Sequence, residues 1–155
     1  MSTHTVQEAK RKDNGPSMQM EARTRLILPS AIYDEMISHC IQGCPNEVCG
    51  ILAGRGTEIS KIYRMNNVER SPISYLMDTR EQFNVMKDLR SNNLSMVAIY
   101  HSHPASEAFP SSKDMQLAFY EETAYVIVGL LTKKATVRAF FIRAGIIEEI
   151  GIIIQ

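Results

Sequence analysis

Apolar positions along the chain fall into short blocks whose period alternates between strand-like and helix-like spacing. Arg25-Leu26-Ile27-Leu28 reads as a first strand. After Pro29, Ile32, Met36 and Cys40 recur every four residues, and Ile37, Ile41 and Cys44 widen the stripe. The spacing predicts a helix with Ser30 as N-cap and Asp34 and Glu35 in its early turns, ended by Gly43 and Pro45. Val48–Gly54 predicts a buried strand, Arg55-Gly56-Thr57 a hairpin turn and Glu58–Met65 the return strand. A loop over residues 66–72 leads to a short extended piece, Ile73–Met77. Asp78-Thr79-Arg80-Glu81 has capping-box spacing and opens a helix to about Arg90, with Phe83, Val85, Met86 and Leu89 as its apolar face.

Met96–Tyr100 is a continuous apolar run and therefore a central strand. A helix is predicted from Ser112 to about Glu121, then three strands over Ala124–Leu131, Ala135–Arg143 and Ile146–Ile154. The aromatics Phe109, Phe119 and Tyr120 read as packing residues. There is no internal repeat, so the pattern gives one α+β domain over residues 23–155, a mixed β-sheet flanked by helices, behind a flexible polar tail over residues 1–22. The apolar final segment is either a buried strand or an exposed edge covered by a second subunit, which would make a homodimer.

Composition narrows the class. The 155 residues carry 17 Lys+Arg against 17 Asp+Glu, and this zero net charge argues against a nucleic-acid binder driven by a basic surface. No apolar run is long enough for a membrane helix, and the polar start is unlike a signal peptide, so a cytoplasmic protein is expected. The three cysteines, Cys40, Cys44 and Cys49, form no disulfide framework. With His39 they invite a structural zinc site, but their spacing matches no common one, and packing is the favoured role.

Chemistry concentrates at His101-Ser102-His103-Pro104, directly after the central strand, and at Ser111-Ser112-Lys113-Asp114. Side chains two apart on a strand face the same way, so His101 and His103 present two imidazoles to one point. Asp114, in the first turn of the next helix, returns a carboxylate there. Two imidazoles and one carboxylate make a three-ligand zinc set with a fourth position left for water. Glu47, at the lip of the strand Val48–Leu52, is the candidate general acid/base. Ser111 supplies a hydroxyl for a developing oxyanion and also has the spacing to cap its helix.

The whole spaced set resembles the JAMM (MPN+) metalloprotease motif: a glutamate before an apolar strand, then His-Ser-His-Pro, six residues, Ser, two residues and Asp. The resemblance implies a cytidine-deaminase-like JAMM/MPN fold. It also implies His101, His103 and Asp114 as ligands of one Zn2+, Glu47 as general acid/base and Ser111 as transition-state stabiliser. A non-catalytic MPN scaffold would lack one or more of these residues, and none is missing. A small-molecule amidase using the same zinc site would present the same residues.

Residues 67–78, with Asn67, Ser71-Pro72, Tyr75 and Met77-Asp78, look like the stretch found in compact prokaryotic JAMM proteins. That likeness implies a ubiquitin-fold sulfur-carrier protein as partner and hydrolysis of the amide bond after its C-terminal Gly-Gly, with release of cysteine as one known form. A Gly-Gly tail lacks side chains and can lie along an exposed strand edge, for which residues 66–75 are the expected wall.

Overall fold

The computed structural model describes residues 24–155; the expected tail, residues 1–22, lies outside the described residues. Seven strands and three helices are present among the described residues: β1 (Arg25–Leu28), α1 (Ser30–Gln42), β2 (Cys49–Arg55), β3 (Glu58–Met65), α2 (Thr79–Ser91), β4 (Ser95–His103), α3 (Ser112–Gln116), β5 (Ala124–Gly129), β6 (Thr136–Arg143) and β7 (Ile146–Ile154). The strands form a mixed sheet in the order β1-β3-β2-β4-β5-β6-β7, which closes into a barrel through parallel pairing of β7 with β1. The α+β class holds, and closure is the feature that local patterning did not predict.

Alternation along the central strands divides the core in two. Leu52, Ala98, Tyr100, Val126 and Val128 face one way, joining Met36 and Cys40 of α1 and residues from every other strand. Cys49, Ile51, Ile99, Tyr125 and Ile127 face the other way, against Val85 and Leu89 of α2. Strands buried on both faces carry continuous apolar runs, which is why β4 and β5 lack alternation in sequence. β4 extends three residues beyond the expected Tyr100, so both histidines belong to the strand itself.

Several local expectations are corrected. Ser30 is the first helical residue of α1, not its cap: Pro29 takes the cap position and its carbonyl accepts from the Tyr33 N–H at 3.0 Å, while the Ser30 N–H donates to the carbonyl of Gln155 at 2.6 Å. The stripe on α1 is narrower than its spacing suggests, with Met36 and Cys40 buried and Ile41 and Cys44 exposed. Phe83 of α2 likewise faces solvent. Asp78 does cap α2, accepting from the Glu81 N–H at 2.9 Å, but the Glu81 carboxylate is drawn away to the Asn66 amide groups. Residues 73–77 form no strand and touch the sheet pattern only through an Asn67–Met77 bridge.

The expected helix to Glu121 stops at Gln116, since the residues that would extend it have no buried face; Phe119 is 75% exposed, and Leu117 and Tyr120 are also exposed. Phe109 is half exposed and packs edge-on against Phe140, so none of the three aromatics is a core residue. β7 is neither buried nor an open edge. It pairs with β6 on one side and β1 on the other while most of its side chains meet solvent, which removes the edge argument for a second subunit. No described helix is long and apolar enough to cross a membrane.

The β2–β3 hairpin carries a register shift at Ala53/Gly54, where Gly54 pairs with Ile59. A Cβ at Gly54 would lie 1.8 Å from the Glu58 carbonyl oxygen, a backbone atom that cannot swing aside. Gly54→Ala is therefore expected to destabilise the protein by about 1–3 kcal/mol, the usual range for overpacking, read as a lowered urea midpoint at unchanged slope.

Candidate active site

Each site residue is placed by backbone pairing. β4 stays hydrogen-bonded on both sides to its end: the Ser102 N–H donates to the Val48 carbonyl at 3.0 Å, and the Leu130 N–H donates to the His103 carbonyl at 3.0 Å. His101 and His103 therefore continue the row begun by Ile99, beyond the last apolar residue on that face. Their Nε2 atoms lie 3.1 Å apart. Asp114 comes from α3, a one-turn helix held by a complete capping box. The Ser111 hydroxyl accepts from the Asp114 N–H at 3.1 Å, and the Ser111 N–H donates to Asp114 Oδ2 at 2.9 Å. The same Oδ2 sits 3.0 Å from His103 Nε2 and 3.2 Å from His101 Nε2.

Glu47 is 4% exposed, and its Oε1 is 3.9 Å from His103 Nε2. Its backbone is fastened on three sides. The Glu47 N–H donates to the Ser71 carbonyl at 2.8 Å, its carbonyl accepts from Asn67 Nδ2 at 3.0 Å, and the next N–H, of Val48, donates to the Ser102 hydroxyl at 2.9 Å. The loop after β4 packs so closely on β5 that a Cβ at Gly129 would stand 2.8 Å from the Ala108 nitrogen. That approach brings the Glu107 carbonyl to His103 Nδ1 at 2.7 Å. A carbonyl only accepts, so Nδ1 carries the proton and the Nε2 lone pair faces the cluster.

Charge follows from these contacts. Burial lowers the pKa of His101, against the opposing pull of its bond to Asp114. For His103 burial pulls the same way, but the bonds to Asp114 and to the Glu107 carbonyl outweigh it and raise the pKa. Burial alone would push Asp114 up; its bonds to His101, His103 and the Ser111 N–H instead hold it well below the usual carboxylate range. Glu47 is pushed up to about 7, foremost by burial, which overcomes the opposing pull of His103.

Two imidazole nitrogens and a carboxylate oxygen, mutually 3.0–3.2 Å apart, converge on one point. Tetrahedral zinc with bonds of about 2.0–2.1 Å holds its ligand atoms about 3.3 Å apart, close to these separations. Glu47, His101 and His103 also offer ligand atoms within 4.8 Å of one another. The buried Glu/His/His/Asp cluster thus suits a divalent metal. Glu47 Oε2 and His101 Nδ1 are buried there without hydrogen-bond partners.

The structure brings together His101, His103, Asp114 and Glu47, and makes Ser111 the N-cap that aims Asp114. It leaves the cysteines out. Cys40 and Cys49 are buried free thiols, both pushed up to about 12 by burial, and Cys44 is exposed. His39 is bonded instead to the Tyr100 hydroxyl at 2.7 Å. The supporting roles of four groups escaped the sequence reading. Ser102 lies within the His-Ser-His-Pro motif, and Asn67 and Tyr75 lie within the family-like stretch 67–78, but the sequence does not show that Ser102 and Asn67 hold the backbone at Glu47 and Val48 or that the Tyr75 ring stands on His101; Glu107 acts through its backbone and leaves no side-chain signal.

Residues 29–143 match the family described as prokaryotic homologs of the JAB domain. The CysO-cysteine peptidase of Mycobacterium tuberculosis is 37% identical over 105 residues, covering 66% of this chain and 72% of that protein. A probable TtuB-protein conjugate cleaving protease of Thermus thermophilus is 34% identical over 130 residues, covering 83% and 82%. A solution structure of a Desulfitobacterium hafniense protein superposes with a TM-score of 0.77 at 37% identity, covering 84% of this chain and 92% of the other.

Ser102→Ala tests the backbone support beneath Glu47. It strips the buried Val48 N–H of its side-chain acceptor, and an unsatisfied buried donor costs about 1–3 kcal/mol. The expected outcome is a corresponding fall in unfolding free energy measured by urea denaturation.

Proposed function

The chain belongs to the family of prokaryotic JAB-domain homologs and is a JAMM-type metallopeptidase, and from that premise we propose that it is zinc-dependent and hydrolyses the amide bond after the C-terminal Gly-Gly of a ubiquitin-like sulfur-carrier protein, with cysteine as a leaving group. The observation that carries the metal assignment is the convergence of His101 Nε2, His103 Nε2 and Asp114 Oδ2 within 3.2 Å of one another. Those three residues are the proposed ligands. The carrier assignment is supported by the relatives, one named for cleaving CysO-cysteine and one for cleaving TtuB-protein conjugates.

When bound, zinc supplies a Lewis acid that polarises the scissile carbonyl and makes water nucleophilic near neutral pH. The rest falls to the chain. Glu47, adjacent to the ligands but 3.9 Å from the nearer imidazole nitrogen, takes a proton from the attacking water at its carboxylate and delivers it to the leaving nitrogen. The Ser111 oxygen is engaged as an acceptor in its cap, which leaves its O–H to donate to the carbonyl oxygen as negative charge develops there. The Glu107 carbonyl, bonded to Nδ1, holds the His103 ring with Nε2 inward.

The proposed wall for the carrier tail is the irregular segment 71–76. It lies directly against Glu47 through the Ser71 carbonyl and Asn67.

Protein purified without added metal is expected to contain one zinc per chain by elemental analysis, and His103→Ala and Asp114→Ala to lose it. Glu47→Gln is expected to retain the zinc while turnover falls at least about 100-fold, the lower range for general acid–base catalysis. For the substrate, carriers ending in Gly-Gly-Cys are incubated with the protein with and without a chelator and weighed by mass spectrometry. Loss of one cysteine residue, abolished by the chelator, is the expected result. A zinc-loaded protein that leaves several carriers intact overturns the carrier assignment.

A further inference from the structure

The two histidines are held by different means. His103 is anchored as metal-ligating histidines ordinarily are, with its outer nitrogen on a carbonyl oxygen. His101 has no such anchor: its Nδ1 is buried without a hydrogen-bond partner, and the residue is 1% exposed. Against its ring stands instead the ring of Tyr75, centroids 4.6 Å apart and planes inclined by 30°. A hydrogen bond fixes a ring's plane and its tautomer. A stacked aromatic face fixes the plane alone.

Tyr75 is itself placed with unusual economy. Asn67 Nδ2 donates to the Ser74 carbonyl at 2.9 Å, and Asn67 Oδ1 accepts from the Leu76 N–H at 3.0 Å, so one side-chain amide grips the backbone on both sides of Tyr75. The same Nδ2 donates to the Glu47 carbonyl. Asn67 therefore sets Tyr75 and Glu47 from a single point, while Tyr75 sets the plane of His101.

We propose that Tyr75 is a positioning residue for the metal centre, its ring face taking over for His101 the orienting task that the Glu107 carbonyl performs for His103, with Asn67 coupling that support to Glu47. The inference rests on the reading of His101 as a metal ligand. It concerns the ring of Tyr75, so Tyr75→Phe preserves the function, whereas Tyr75→Leu and Tyr75→Met keep apolar bulk against the core and lose the flat face.

The test measures zinc affinity by competition with a chromophoric chelator, together with the visible absorption spectrum of the cobalt(II)-substituted protein. The melting temperature of the metal-free form reports packing separately. Tyr75→Leu and Tyr75→Met are expected to bind zinc about tenfold more weakly, the lower range for loss of an outer-shell partner, and to shift the cobalt bands. Tyr75→Phe is expected to match the wild type on both. Leucine and methionine variants with wild-type affinity and spectrum overturn the inference while leaving the metal assignment standing. A Tyr75→Phe variant as weak as Tyr75→Leu also overturns it, because the hydroxyl rather than the ring would then be at work. A wild-type protein that takes up neither metal overturns the metal assignment and the inference together. Two apolar replacements keep the test decisive if one of them does not fold.

Discussion

The site depends on β4 remaining a strand for three residues beyond its last apolar side chain. If the ladder ended at Tyr100, nothing would hold His101 and His103 in register, and two residues apart would no longer mean the same face. The Ser102 N–H on Val48 and the Leu130 N–H on the His103 carbonyl carry the extension. Neighbours on both sides are thereby committed as well. β2 brings Glu47 in at its lip, and β5 offers Gly129, whose missing side chain admits the loop that anchors His103. A sheet built this way converts backbone pairing into side-chain convergence at small entropic cost, because the residues that position the site are already fixed by the fold.

Around that strand the supports come in two kinds. Local ones, such as the Ser111–Asp114 box, are closed within four residues and need only a turn of helix. Distant ones reach across the chain: Asn67 to Glu47, Ser102 to Val48, Tyr75 to His101. The local supports orient a single carboxylate. The distant ones relate groups to one another, so the acid/base candidate and the imidazoles share one reference frame.

That division explains what could be read from the sequence. His-x-His on an apolar strand and Ser-x-x-Asp at a helix start are short-range patterns whose geometry follows from the backbone period. Both were legible, as were β3 and β7 to the residue. Burial of Ile41, Cys44 and Phe83 was overread because a periodic stripe on a helix is wider than the strip its neighbours cover. The helix after Ser112 was overrun because apolar residues continued without anything to pack against. Barrel closure joins β1 to β7, more than a hundred residues apart, and no local pattern encodes it. The Glu107 carbonyl has no side-chain signature at all.

Closure also orders the events of the chain's own making. β7 leaves the ribosome after the other six described strands, and until it does β1 and β6 each present an unpaired flank. By then β2, β3, β4 and β5 have all been synthesised, so every strand that flanks the two histidines is available before the ring can close. The centre can therefore take shape in an open sheet, before the ring is sealed. The final step joins the two most distant segments, the kind of long-range pairing that topology makes slow. Until that step, the open flanks of β1 and β6 are edges that can pair with the wrong neighbour.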